Sequence, residues 1–207
     1  MKKDRTLRQA LPQYIPADAV EPVAQWFDSH FVVLRISRTR TTKYGDFKAS
    51  QPGEPGRISV NHDLNPYSFL ITLLHEMAHA EVFINYAKRM QPHGKAWKLA
   101  FRKLAMPYIE AGIFPDNLGL TFSRYLLDPK ASTSTYTPLV VALRGYDNQT
   151  DHITVAMLEP DSVFALPDGR KFKVVEKLRK RYRCYCFNNK RTYLFNPLAV
   201  ISPVEVN

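Results

Sequence analysis

His75, Glu76 and His79 stand in the run His-Glu-Met-Ala-His, and His93-Gly94 follows downstream. Histidines four apart on a helix share one face, about one turn from each other, so both imidazoles can reach a single divalent ion. Glu76 points about 100° away from His75. From there a carboxylate can take a proton from water at the ion instead of ligating the ion itself. That is the arrangement of a zinc peptidase. The bland alternative is two core histidines hydrogen-bonded to neighbours with Glu76 on an exposed edge. It is disfavoured because burying three such groups without a partner is costly.

A tetrahedral catalytic site needs a third protein ligand and keeps its fourth position for water. His93 follows the Pro92 break and opens a new helix, so the chain can turn back beside the first histidines. The rivals are Glu81, Glu110, His62 and His30. Glu81 lies about 200° around the helix from His79 and should face away. Glu110 comes after Pro107 and would serve only in a glutamate-ligand pattern. His62, in Asn61-His62-Asp63, reads as a surface turn residue. His30 reads as a helix end, and His152 belongs to a later segment. The expected set is His75, His79 and His93 on the metal, with Glu76 as the base.

The elements that position these groups are legible around them. Asn65-Pro66 is an N-cap followed by proline in the first helical turn. From Tyr67 to Met90 there is no Gly or Pro, and Phe69, Leu70, Leu73, Leu74, Met77, Ala78 and Ile84 make the run apolar over most of its girth. Such a helix passes through the middle of a domain. A second helix is expected from Gly94 to about Met106, docking through Trp97, Ala100, Phe101 and Leu104. Upstream, residues 17–29 read as a helix, and Phe31 to Ser37, Lys43 to Ala49 and Arg57 to Asn61 as strands. A turn-rich loop, Gln51 to Gly56, separates the last two.

With these residues in place, the chain resembles the SprT-like family, which includes the Spartan proteases. The likeness lies in Thr72 to Ala80 and His93-Gly94-Lys95-Ala96-Trp97-Lys98, with Thr42 to Phe47 and Arg57 to Val60 similar to the strands preceding the metal helix. It spans roughly residues 20 to 106. The resemblance implies a small zincin-type fold, zinc held by three histidines, and proteolysis; in eukaryotic members it implies substrates crosslinked to DNA. One departure stands out. Many members end in a four-cysteine zinc ribbon, whereas this chain has only Cys184 and Cys186, spaced C-x-C. Two thiolates cannot build that site, and alternate residues of a strand share a face, so the pair reads as packed small side chains.

Composition sets the frame. The 207 residues, 45% hydrophobic and 23% charged, suit a folded protein with one good core or a main domain plus a small one. Two cysteines argue against a disulfide scaffold and fit a reducing compartment. The basic N-terminus leads into no apolar stretch, and no run reaches membrane-spanning length, so a cytoplasmic protein without membrane contact is expected. The expected class is α+β: a zincin-like metallopeptidase domain over residues 1–130, with a short antiparallel sheet and the histidine helix, then an all-β barrel or sandwich over 139–207. Ala131 to Thr135 is the expected linker. Short strands are expected at Leu139 to Leu143, Ile153 to Leu158, Val163 to Leu166, Lys171 to Val175, Arg179 to Phe187 and Thr192 to Phe195. Asp168-Gly169 and Asn188-Asn189 fall where hairpin turns belong.

Charge carries the second functional signal. The formal net charge is +10. Arg170, Lys171, Lys173, Lys177, Arg179, Lys180, Arg181, Arg183, Lys190 and Arg191 crowd one short stretch that holds Glu176 as its single acid. Tyr182, Tyr185, Phe187 and Tyr193 are interleaved or adjacent. Cations along a phosphate backbone beside rings that stack on bases are the means of binding single strands or junctions. Two further basic groups are Arg35, Arg38, Arg40, Lys43, Lys48 and Arg57 around the early strands, and Lys95, Lys98 and Arg102 on the His93 helix. The expected function is a zinc endopeptidase associated with DNA. The alternatives are a cytoplasmic metallopeptidase unrelated to DNA and a non-enzymatic nucleic-acid-binding zinc protein.

Overall fold

The computed structural model describes residues 7–40, 43–86, 90–147, 153–179 and 181–204. The basic N-terminus (residues 1–5), Thr42, His152 and Lys180 lie outside the described residues. The fold is mixed α and β, and the chain divides into two compact units, 1–147 and 148–207.

In the first unit, helix α1 (Val20–Ser29) leads into strands β1 (Val32–Ser37), β2 (Gly45–Lys48) and β3 (Gly56–Asn61). The sheet order is β1-β3-β2. The expected antiparallel sheet is in fact mixed: β3 pairs antiparallel with β2 but parallel with β1. The reason is topological. The chain leaves β1, reverses into β2 one strand-width away, and β3 then inserts between them. That makes β2 an edge strand, held in place by polar contacts. Arg40 forms an ion pair with Asp46 and donates to Asn61 Oδ1 and Ser59 Oγ, while Asn61 Nδ2 donates to the Arg40 and Lys43 carbonyls.

Helix α2 (Pro66–Asn85) packs on β3 and β2. Asn65 caps it as expected, its Oδ1 accepting from the Ser68 amide at 2.8 Å, which is worth about 1 kcal/mol. The same side chain donates to the Leu143 carbonyl and to Asp147. An unbroken buried run from Phe69 to Ala78 makes α2 the spine of the core. Helix α3 (Lys95–Glu110) packs beside it through Trp97, Phe101, Ala105 and Tyr108. It continues through Pro107, where a stop was expected, because burial of Tyr108 outweighs the hydrogen bond that proline removes.

Two further helices were not among the expected elements. Asp116–Leu126, given no element above, forms α4 and buries Leu118, Phe122, Tyr125 and Leu126. Residues 139–143, expected as the first strand of the second domain, belong to α5 (Thr137–Arg144) of the first unit. Pro138 at the start of that helix is favourable, and Leu139 and Leu143 are buried while Val141 between them is not, which fits the helical period, since a strand would put all three on one face.

The second unit is a five-stranded sheet in the order β7-β6-β5-β4-β8, antiparallel throughout. Its strands are β4 (Val163–Ala165), β5 (Lys171–Lys177), β6 (Tyr182–Cys186), β7 (Thr192–Phe195) and β8 (Ser202–Pro203). Gly169 and Lys190 take positive φ in the two hairpin turns expected at Asp168-Gly169 and Asn188-Asn189. Residues 155–157 form a 3-10 turn where a strand was expected. The core holds Phe164, Phe172, Val174, Tyr182, Cys184 and Cys186, so both cysteines are packed side chains with free thiols.

Candidate metal centre

His75 and His79 project from one face of α2, and His93 meets them from the turn between α2 and α3. Their Nε2 atoms lie 3.3, 3.0 and 3.2 Å apart for the pairs His75–His79, His79–His93 and His93–His75. Nitrogens bound at about 2.0–2.1 Å to a tetrahedral ion stand roughly 3.3 Å from one another, so this triangle fits one such ion. A neutral imidazole offers one acceptor nitrogen, and a single cation satisfies three converging lone pairs at once. Burial holds His75 down to about 3 and His79 to about 4, aided by neighbouring imidazoles, and burial also lowers His93. All three rings are therefore neutral at pH 7, the form that ligates metal. The three together are a group that can hold a metal ion.

The turn that delivers His93 is strained. His93 adopts φ 57°, in the left-handed region, where histidine is among the better-tolerated side chains. Gly94 then donates to the Gln91 carbonyl at 3.0 Å and caps α3; a Cβ at Gly94 would come within 3.0 Å of that same oxygen. Trp97, one turn into α3, floors the site. Its ring centroid lies 4.6, 5.4 and 4.7 Å from those of His75, His79 and His93, and its Nε1 donates to the His75 carbonyl. Sequence reasoning had given Trp97 only a docking role.

Glu76 is 7% exposed and lines the same cavity of about 770 Å³ as the three histidines. Burial, then the charge of Asp46, pushes its carboxyl up to about 8, against the pull of Arg40, Lys43 and a hydrogen bond from the Phe47 amide. A nearby cation favours the ionised form. Gly45 touches this group closely: a Cβ there would lie 2.9 Å from Glu76 Oε1 and 2.8 Å from Thr72 Cγ2. Gly45 and Phe47, both on the edge strand, were not singled out from the sequence, since only the register of β2 against α2 reveals them. Phe47, Val82, Phe83, Tyr86 and Met90 give the cavity apolar walls.

The rival ligands stand elsewhere. Glu81 faces away, accepting from Trp26 Nε1 at 2.8 Å and pairing with His30. His62 is an exposed turn residue and Glu110 is exposed at the end of α3.

The basic groups divide. Arg40 is committed to Asp46, Ser59 and Asn61, Lys98 pairs with Asp128, and Arg102 donates to the carbonyls of Leu126 and Leu127, capping α4. In the second unit Tyr182 is buried and Tyr193 packs on Phe172, both on the inner side of the sheet. Arg170 pairs with Asp168 and lies over the Phe172 and Tyr193 rings. Tyr185 and Phe187 remain on the outer face.

Residues 23–114 match the SprT-like family, a span that runs from α1 to just past α3 and contains all three histidines and Glu76. No curated protein and no solved structure matches the chain.

Proposed function

We propose that the SprT-like region works as a zinc-dependent endopeptidase of the zincin type, with His75, His79 and His93 as ligands and Glu76 as the general acid–base. The observation that carries this reading is the convergence of three imidazoles beside a buried carboxylate in one cavity. All-imidazole ligation favours zinc over magnesium or calcium. Zinc bound there supplies Lewis-acid polarisation of a peptide carbonyl and acidifies water at the ion.

The chain's own groups do the rest. Glu76 accepts a proton from the attacking water and delivers it to the leaving amine, a role worth about 10²–10⁴-fold. The Phe47 amide aims the carboxylate, and the apolar cavity walls keep bulk water away from it. Just before β2, the Tyr44 carbonyl accepts from the Asn61 amide, so the alternation of the ladder turns the backbone of Gly45 and Phe47 outward toward the cavity. An extended peptide laid along this edge pairs through its main chain, which predicts loose sequence preference. The second unit serves as an all-β module that holds the enzyme on nucleic acid in the cytoplasm, so that DNA-bound or crosslinked proteins become its substrates. Its support is the charge of the 170–191 stretch. Among the described residues no helix is long and apolar enough to cross a membrane.

A second reading, a peptidase independent of nucleic acid, is favoured by the engagement of Lys98 and Arg102 in internal contacts.

The test pairs elemental analysis with cleavage of an unstructured protein, with and without DNA. The wild-type chain is expected to carry zinc and to cleave, faster when DNA tethers the substrate. Glu76→Gln is expected to keep zinc and fold while losing at least about a hundredfold in rate. Zinc-free wild type, or an active Glu76→Gln, overturns the peptidase; equal cleavage with and without DNA overturns the tethering.

A further inference from the structure

The strand β6 sorts its side chains by alternation. Tyr182, Cys184 and Cys186 are buried in the second unit's core, while Arg183, Tyr185 and Phe187 face outward. Phe187, just past the end of β6, is 47% exposed and meets the half-buried Tyr185 edge-on at 5.7 Å, so the two rings adjoin on the outer side of an interior strand. Lys173 stands opposite Tyr185 on one neighbouring strand and Thr192 on the other; Leu194, 57% exposed, stands opposite Arg183. A solvent face with no partner does not need two adjacent rings.

The cations on this face are ion-paired, and the others gather at its two ends. Lys173 and Arg183, on the face itself, are paired with Asp161 and Glu176. Lys177, Arg179 and Arg181 gather at the β5–β6 end, and Lys171, Lys190 and Arg191 at the opposite end, all exposed. The two rings and Leu194, with the Lys173–Asp161 and Arg183–Glu176 ion pairs among them, thus lie between two positive ends.

We infer that the outer face of β5, β6 and β7 binds single-stranded nucleic acid, with bases stacked on Tyr185 and Phe187 and phosphates held by the basic residues at the two strand ends. This rests on the proposal that the second unit engages nucleic acid, and it names the form and the face. Unpaired bases offer π-faces to the rings, and the flanking phosphates meet the positive ends. A duplex keeps its bases stacked inside, so it can use the ends but not the rings.

The experiment uses the full chain and fluorescence anisotropy on a labelled oligothymidine and on a duplex of equal length, each across a salt series. The single strand is expected to bind more tightly. Replacing both rings (Tyr185→Leu with Phe187→Leu, which keeps apolar bulk) is expected to weaken it about tenfold or more, leaving the slope against log salt almost unchanged. Exchanging the rings (Tyr185→Phe with Phe187→Tyr) is expected to retain binding, which separates stacking from folding. Lys190→Gln with Arg191→Gln is expected to lower the salt slope on both ligands. If the leucine variant binds like wild type, or the duplex binds as tightly as the single strand, the stacking face is overturned while nucleic-acid binding stands. If neither ligand binds at low salt, the underlying proposal falls with it. If sedimentation shows a dimer that the leucine variant dissociates, with nucleic-acid affinity unchanged, the face joins two copies and the inference is overturned.

Discussion

Trp97 supports His75 twice over: its ring packs 4.6 Å from the imidazole centroid, and its Nε1–H donates to the His75 carbonyl at 3.3 Å. The same indole contacts His79 and His93, so one side chain sets the resting orientation of the whole ligand triangle. Trp97→Phe keeps a ring but removes the donor and part of the floor. Metal affinity is expected to fall about tenfold, read by competition with a chromophoric chelator. An unchanged affinity in a folded variant would reduce Trp97 to a core residue.

Gly45 governs the carboxylate as Trp97 governs the imidazoles. Gly45→Ala places a methyl 2.9 Å from Glu76 Oε1. Misplacement of a reacting group by about 1 Å costs up to about a hundredfold, so cleavage is expected to drop by one to two orders of magnitude while zinc content stays at the wild-type level. Undiminished turnover would show that the carboxylate tolerates displacement.

Asp46 contributes stability with a defined pH dependence. Burial opposes its charge, but hydrogen bonds from Ser59, Arg40 and Lys43 win and hold its carboxyl at about 2, against an ordinary 3.8. A carboxyl depressed by folding stabilises above its unfolded value, and that contribution disappears as pH falls through the folded one. The gap in melting temperature between wild type and Asp46→Asn is therefore expected to be constant above about pH 5 and to close between about pH 4 and 2. A gap that persists at pH 2 would mean that Asp46 acts through packing instead.

How much of this was legible in the sequence follows from range. The meeting of His75 and His79 is a matter of helical period, and Pro92-His93-Gly94 announces the turn that brings the third ring. Asn65 and the two hairpin turns are likewise local chemistry, read from adjacent residues. What could not be read needed a second element. Gly45 and Phe47 reach Glu76 only because β2 is the strand beside α2, and Trp97 floors the site only because α3 folds back along α2. The apolar run 139–143 carries two adjacent valines and reads as a strand until the core claims Leu139 and Leu143 together. Tyr182 and Tyr193 looked like stacking rings beside Tyr185 because composition shows proximity in sequence, whereas the phase of each strand decides which side a ring takes.

The two thiols, Cys184 and Cys186, both sit in the second unit's core, and the first 147 residues contain none. Burial lifts the Cys184 thiol to about 11, so the reactive thiolate is scarce as well as sheltered. The molecule thereby carries a built-in clock for one half of itself. Alkylation under native conditions should proceed only as fast as the β-module opens, read by mass spectrometry, and should be indifferent to chelators that loosen the histidine site. Labelling that accelerates when zinc is stripped would reveal that the two halves melt as one.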